Sequence, residues 1–277
     1  MNSHENEIAV GKRFEFGKNW QRFLSVLNDE RIAVAEQSLK RMLKTDNLEG
    51  KRFLDTGSGS GLFSLVARRL GATVHSFDYD PQSVACTQEL KRRYFPNDPQ
   101  WQVESGPILD TAYLSKLGTF DIVYSWGVLH HTGAMWQALE NTQMLVAKNG
   151  FLYIAIYNHQ VYWSAFNIRM KRLYVRSPVV GKWFITISFI AFQVFKGLIK
   201  DLIFLRNPLQ RYKDKKTSRG MSTWHDWIDW IGGYPFEVAK PEDIFHFYRD
   251  NGFILMELKT CGGGHGYNEY VFQAVTI

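Results

Sequence analysis

The alternation of apolar and polar positions divides the chain into a helical opening, a repeating strand–helix series and a closing hairpin. Over residues 18–44, Phe23, Val26, Leu27, Val34, Leu39, Met42 and Leu43 recur at roughly three- and four-residue steps, the spacing that places apolar side chains on one face of a helix. After the polar link KTDNLEG, the segments RFLDT, TVHSF, WQVES, FDIVYSW and FLYIAIY read as buried strands. LFSLVARRL, PQSVACTQELKRRY and GAMWQALENTQMLVA read as helices, the second with Pro81 near its start. Strands alternating with helices of this length predict an α/β fold with a parallel sheet covered on both faces. Towards the C-terminus PEDIFHFYRDNG reads as a helix, and FILMELKT and YNEYVFQAV as two strands joined across Gly262–Gly264 and Gly266.

One stretch departs from this series. From Trp183 to Phe195, WFITISFIAFQVF runs thirteen residues without charge between Lys182 and Lys196. A span of the bilayer needs about 20 such residues, so this run predicts an interfacial helix or a lid over an apolar acceptor, with a helical hairpin packed on the body as the alternative. Between residues 159 and 220 thirteen basic residues stand against Asp201 and Asp214, in a chain whose net charge is +6. A basic, apolar insertion is thus set into a mildly acidic body. Its oily and cationic character favours a lipid-like or lipid-linked acceptor, or peripheral contact with a membrane through 169–219. Interleaved aromatics such as Tyr162, Trp163, Tyr174 and Trp183 also suit nucleic acid. With 277 residues, 45% hydrophobic, the chain can bury one large core. Two cysteines, Cys86 and Cys261, are too few for a disulfide framework or a structural zinc site. The first twenty residues carry early acids and no apolar signal core, so the expected location is the cytoplasm, extending to the inner face of a membrane.

The candidate chemistry sits where the first strand ends. In FLDTGSGSGLFS, Asp55 precedes Gly57, Gly59 and Gly61, glycines that let a ligand approach the backbone before a helix begins. A dinucleotide needs G-x-G-x-x-G, but Leu62 occupies the third glycine's place, and Asp55 brings a negative charge towards a doubly anionic pyrophosphate. S-adenosylmethionine carries a sulfonium and an ammonium and no phosphate, so a carboxylate at the lip of the turn attracts it. Asp78, ending the second strand, is placed to accept from both ribose hydroxyls, while Asp80 before Pro81 reads as a helix N-cap.

Through FLDTGSGSG, FDYDPQSV, FDIVYSWGVLHH and MLVAKNGFLYIAIYN, the chain resembles the class I S-adenosylmethionine-dependent methyltransferases, especially their ubiquinone-methylase-like branch. The resemblance covers roughly 51–157 and resumes at 238–277. It implies a Rossmann-like seven-stranded sheet, mostly parallel with an antiparallel terminal strand, flanked by helices and carrying a helical insertion after the fifth strand. The expected organisation is a helical cap over 1–50, a methyltransferase core over 51–157 and 236–277, and an insertion over 158–235 serving as lid or acceptor subdomain. The expected cofactor contacts are Asp55, Gly57, Ser58, Gly59, Gly61, Asp78, Tyr79 and Trp126. Where the family often has an acid after the third strand, Pro107 stands here, so Gly106, Ile108 and Leu109 are expected to hold the adenine.

His130 and His131 follow the fourth strand, where acceptors of this family meet the cofactor, and a histidine suits removal of a hydroxyl proton. Fixing the turn is the plainer role for either. SWGVLHH differs from the Asp/Asn-Pro-Pro-aromatic turn typical of base-amine methylases, which lowers the expectation of exocyclic amine methylation. Tyr157, Asn158, His225, Asp226 and Tyr234 are the expected acceptor contacts, with no metal expected. His265, Asn268 and Glu269 border the same region in sequence or simply satisfy the hairpin. Three functions follow: methyl transfer to an oxygen on a small or lipid-linked acceptor of quinol or glycan type, releasing S-adenosylhomocysteine; RNA methylation through the basic insertion; or a membrane-associated protein that binds the cofactor without turnover.

Overall fold

The computed structural model describes residues 3–203 and 230–275. Among these, β1 (Arg52–Thr56), β2 (Thr73–Asp78), β3 (Trp101–Ser105), β4 (Phe120–Trp126), β5 (Val146–Tyr157), β6 (Phe253–Lys259) and β7 (Tyr267–Ala274) form one sheet in the order β3-β2-β1-β4-β5-β7-β6. The first five strands pair in parallel, and β7 runs antiparallel between β5 and β6. The α/β fold expected from the strand–helix alternation is the fold found.

The central strand shows why its sequence has no polar face. Phe53 and Leu54 are both fully buried yet belong to different core clusters, one on each side of the sheet. Phe53 packs with α2 (Phe16–Ser25), α3 (Asp29–Leu43), α4 (Leu62–Arg69) and α5 (Pro81–Tyr94) through Phe23, Leu39, Leu65 and Leu90. Leu54 packs with α7 (Met135–Gln143) and α10 (Pro241–Asp250) through Leu139 and Tyr248. Successive side chains point to opposite faces, so a doubly covered strand is apolar throughout.

Helix ends follow local chemistry. Asp80 caps α5 by accepting the Gln82 amide at 2.9 Å, and Asn28 caps α3 by accepting the Arg31 amide at 3.0 Å. The helix read through Ala147 ends at Gln143, because Val146 already pairs with Phe120 as the start of β5. The remaining described helices are α1 (Ser3–Ala9), α6 (Thr111–Leu114), α8 (Val161–Arg176) and α9 (Val179–Ile203). At 25 residues α9 is almost twice the uncharged run, and by length and composition it is long enough to cross a membrane. The expectation that this segment is too short for a span is therefore corrected: the helix continues past Lys196 and Lys200.

The chain moves outward from β1 in one direction through β2 and β3, and in the other through β4 and β5. A crevice opens at the carboxyl ends of β1 and β4, where that direction reverses.

Candidate functional site

The crevice leads into a cleft of about 1990 Å³. Gly57 and Gly59 form its floor with φ of +79° and +56°. A Cβ on Gly57 would lie 2.4 Å from Val128 Cγ1, and one on Gly59 would lie 2.9 Å from Trp20 Nε1. Both positions therefore demand glycine on conformation and on space.

Four of the turn's amides are bonded inside the chain. The N–H groups of Gly57 and Ser58 donate to the Phe77 carbonyl at 2.8 and 3.1 Å, and that of Gly61 donates to the Ser58 carbonyl at 2.8 Å. The Gly59 amide donates to Asp78 Oδ2 at 2.9 Å. A phosphate-binding turn needs such donors directed at the ligand. Here Gly57, Ser58 and Gly59 are instead tied to β2.

Asp55 lies at the bottom of the cleft rather than at its lip. It is 2% exposed, and its Oδ2 accepts from Ser64 Oγ at 2.5 Å. Ser64 Oγ accepts from Ser76 Oγ at 2.8 Å, which accepts from the buried Trp101 Nε1 at 2.9 Å. A chain of buried hydroxyls thus orients the carboxylate from behind. Asp78, at the end of β2, is partly exposed to the cleft. Burial pushes its pKa up to about 7, against the Asp80 and Gly59 amides that favour its charge.

The other expected cofactor contacts border the same space. Ser58, Tyr79, Gly106, Ile108, Leu109 and Trp126 line it. Ser58 Oγ shares a 2.9 Å hydrogen bond with Thr87 Oγ1, and Trp126 Nε1 donates to Glu269 Oε2 at 3.2 Å. Gly61 starts α4 behind the lining.

The two histidines separate. His131 lines the cleft, and its Nδ1 lies 2.6 Å from the Pro235 carbonyl, so Nδ1 carries the proton and Nε2 the lone pair. Burial, with the nearby positive charge of Lys171, lowers its pKa to about 3. His130 is fully buried outside the lining, and among the described residues neither ring nitrogen has a hydrogen-bond partner. Its ring packs 4.5 Å from Tyr157, and burial lowers its pKa well below the usual imidazole value.

Of the expected acceptor contacts, Tyr157 lines the cleft and its hydroxyl lies 2.6 Å from that of Tyr267. Asn158 and Tyr234 fall outside the lining. The Asn158 side chain accepts from Asn268 and donates to the Gly264 carbonyl, closing the hairpin. Tyr234 packs under the Arg172 guanidinium and accepts from its Nε at 3.2 Å. His225 and Asp226 lie outside the described residues. Among the described residues no cluster of His, Cys, Asp and Glu is arranged to hold a metal.

Several lining residues carry no local sequence signal. Glu7 and Arg13 close over the cofactor end: Arg13 donates to Glu7 Oε2 at 2.5 Å and to the His131 carbonyl at 3.0 Å, and stacks on Tyr79 at 5.0 Å. Glu7 accepts from the Tyr79 hydroxyl at 3.2 Å. At the other end Lys171, 1% exposed, donates to the Trp230 carbonyl between the Trp230 and Phe236 rings, at 4.9 and 4.6 Å. Phe166, Phe184, Phe189 and Phe192 from α8 and α9 complete that wall.

A doubly wound sheet, a glycine turn after the first strand whose amides bond to the second, and an acid ending that second strand define the class I S-adenosylmethionine-dependent methyltransferase fold. Residues 27–192 match the family model described as "Methyltransferase domain", and the chain belongs to that family. It is 30% identical over 146 residues to the ubiquinone biosynthesis O-methyltransferase of Caulobacter sp. (strain K31), covering 49% of this chain and 54% of that protein. It is 35% identical over 108 residues to the tRNA U34 carboxymethyltransferase of Ectopseudomonas mendocina (strain ymp), covering 38% of this chain and 32% of that one. The matches thus span about a third to a half of these relatives' lengths. In fold it is similar to the Burkholderia thailandensis 1,6-didemethyltoxoflavin-N1-methyltransferase crystallised with S-adenosylhomocysteine, at a TM-score of 0.50 and 13% identity, covering 100% of this chain and 92% of that one. The cofactor of this site is S-adenosylmethionine, and the residues present fit it: Asp55 and Asp78 stand beside the turn, and Gly57 and Gly59 have no room for a Cβ against Val128 and Trp20.

Proposed function

We propose that the chain transfers the methyl of S-adenosylmethionine to an oxygen on a lipid-linked acceptor, of the quinol type in preference to a glycan. The carrying observation is the cleft, whose lining reaches from Asp78 to Phe192 and is mostly apolar, with Lys171, Gln193 and Lys196 among its few polar members on the α8 and α9 side. Ordinary small-molecule pockets occupy about 300–1,000 Å³, so about 1990 Å³ leaves room for a cofactor and an extended apolar partner. The O-methyltransferase relative supports oxygen as the acceptor atom.

S-adenosylmethionine supplies an electrophilic methyl on a cationic sulfur. The chain's part is alignment, exclusion of water and handling of one proton. Asp78 holds the ribose end, with Glu7 and Arg13 closing over it. His131 is the base: its Nδ1 is committed to Pro235, so Nε2 receives the acceptor's proton. With a pKa lowered to about 3 it stays neutral and ready at pH 7, but it is weak. A phenolic hydroxyl near pKa ~10 is closer to its reach than an aliphatic one near that of water, ~15.7. Lys171, buried beside the histidines, favours the developing oxyanion.

RNA methylation is the second reading, favoured by the basic insertion and the tRNA-directed relative. Incubation with methyl-labelled S-adenosylmethionine and separate lipid, glycan and RNA extracts tests both. Label in the lipid fraction is the expected result. Salt-sensitive label in RNA establishes the second reading, and binding of cofactor with no transfer to any fraction establishes a non-catalytic protein.

A further inference from the structure

α9 is mostly apolar, with Lys182, Thr186, Gln193, Lys196 and Lys200 falling together on one side of it. One stripe, including Ile185, Phe189 and Phe192, walls the cleft. A second stripe, Val180, Trp183, Ile187, Phe195, Leu198 and Leu202, advances by three- and four-residue steps and is absent from the cleft. Those side chains are between 45% and 80% exposed. The helix's most apolar stretch is not buried anywhere in the protein. An exposed apolar stripe of this length normally has something covering it.

Charge identifies what covers this one. α8 and α9 carry Arg169, Lys171, Arg172, Arg176, Lys182, Lys196 and Lys200 against Asp201 alone. Arg169, Arg172 and Arg176 are exposed on α8, and Lys196 is exposed at the cleft wall. Two copies of so basic a surface repel one another, whereas an anionic leaflet attracts it, by about 1 kcal/mol per basic residue near the surface. The helix also cannot cross a bilayer while making its cleft contacts. From Phe184 to Lys196 it walls the cleft, which at about 1.5 Å per residue is ~18 Å of its length.

We infer that α9 lies in the surface of an anionic bilayer, its Val180–Leu202 stripe sunk among the acyl chains and its opposite stripe forming the cleft wall. The helix is then the boundary between membrane and active site, and an apolar acceptor enters the cleft past its side chains without crossing water. This deepens the proposed function, and rests on it for the acceptor's entry; docking itself is measured without any acceptor.

The test is flotation of the full chain with phosphatidylcholine vesicles, with and without about 30% phosphatidylglycerol. The protein is expected to float with the anionic vesicles, and partition is expected to fall several-fold on raising salt. Combined Trp183→Ser, Ile187→Ser and Leu202→Ser substitution, at positions outside the cleft, is expected to lower partition at least about tenfold. S-adenosylhomocysteine affinity by calorimetry should be unchanged. Failure to float, equal flotation of the variant, or a dimer by light scattering that the variant converts to monomer overturns the inference. Loss of S-adenosylhomocysteine binding by the unaltered chain counts instead against the proposed function.

Discussion

Asp78 offers a test of the cofactor assignment that reads a proton as well as an affinity. Its carboxyl accepts from the Gly59 amide at 2.9 Å and the Asp80 amide at 2.9 Å, yet burial holds its pKa at about 7. A ribose diol donating to this group needs it ionised. If only the ionised form binds, the apparent dissociation constant is multiplied by about 11 at pH 6 and about 1.1 at pH 8, a change of roughly tenfold. Around pH 7 binding should release about half a proton per site. The assay is titration of S-adenosylhomocysteine by calorimetry across that range, in two buffers of different ionisation enthalpy. Asp78→Asn flattens the profile. It also turns an amide NH2 towards one of the two backbone donors, so affinity at pH 8 should fall by about 1–3 kcal/mol, or about 5- to 150-fold. Thermal unfolding of the variant checks that the fold is intact. Parallel pH profiles for the two proteins would refute the assignment of Asp78 to the ribose.

Gly57→Ala places a Cβ 2.4 Å from Val128 Cγ1 at a φ of +79°, and should cost about 1–3 kcal/mol of stability in urea titrations while weakening cofactor binding; unchanged values for both would contradict the steric reading. His131→Asn should lower kcat by about 10²- to 10⁴-fold on the acceptor found by labelling, with S-adenosylhomocysteine affinity preserved. A shared loss of both would mark the residue as structural. His130 and His131 have lowered pKa values in the folded state, so below about pH 6.5 the unfolded chain binds more protons and stability falls with pH, by about 1.4 kcal/mol per unit for each. Asp78, raised instead, works in the opposite direction between its ordinary value and about 7, so the measurement is the difference between wild type and His130→Phe in urea midpoints at about pH 7 and pH 5.5. Equal acid sensitivity in the two would count against burial of an uncharged His130.

The strand–helix series was legible because it depends on period. Phe53 and Leu54 announce a doubly covered strand whatever their neighbours turn out to be, and Leu62 in place of a third glycine argues against a dinucleotide from the order of residues alone. The place of the turn at the end of β1 follows from the same reading, since the glycines directly succeed RFLDT. Charge clustering in 159–220 was equally visible, as was the cap formed by Asp80.

Side-chain direction and long-range partnership were not. His130 and His131 are adjacent in sequence, and only the short 3-10 turn Leu129–His131, packed against Pro235 and Tyr157, turns one into the cleft and the other behind it. Asp55 precedes the turn in sequence as a lip residue would, and the Ser64–Ser76–Trp101 chain of hydrogen bonds holds it at the floor. Glu7 and Arg13 reach Tyr79 and the His131 carbonyl across 72 and 118 positions of chain. Local spacing determines which secondary element a residue joins, because that choice is made between neighbours a few residues apart. Which face of a cleft the residue occupies depends on elements that meet only when the sheet closes, and no local period records that meeting.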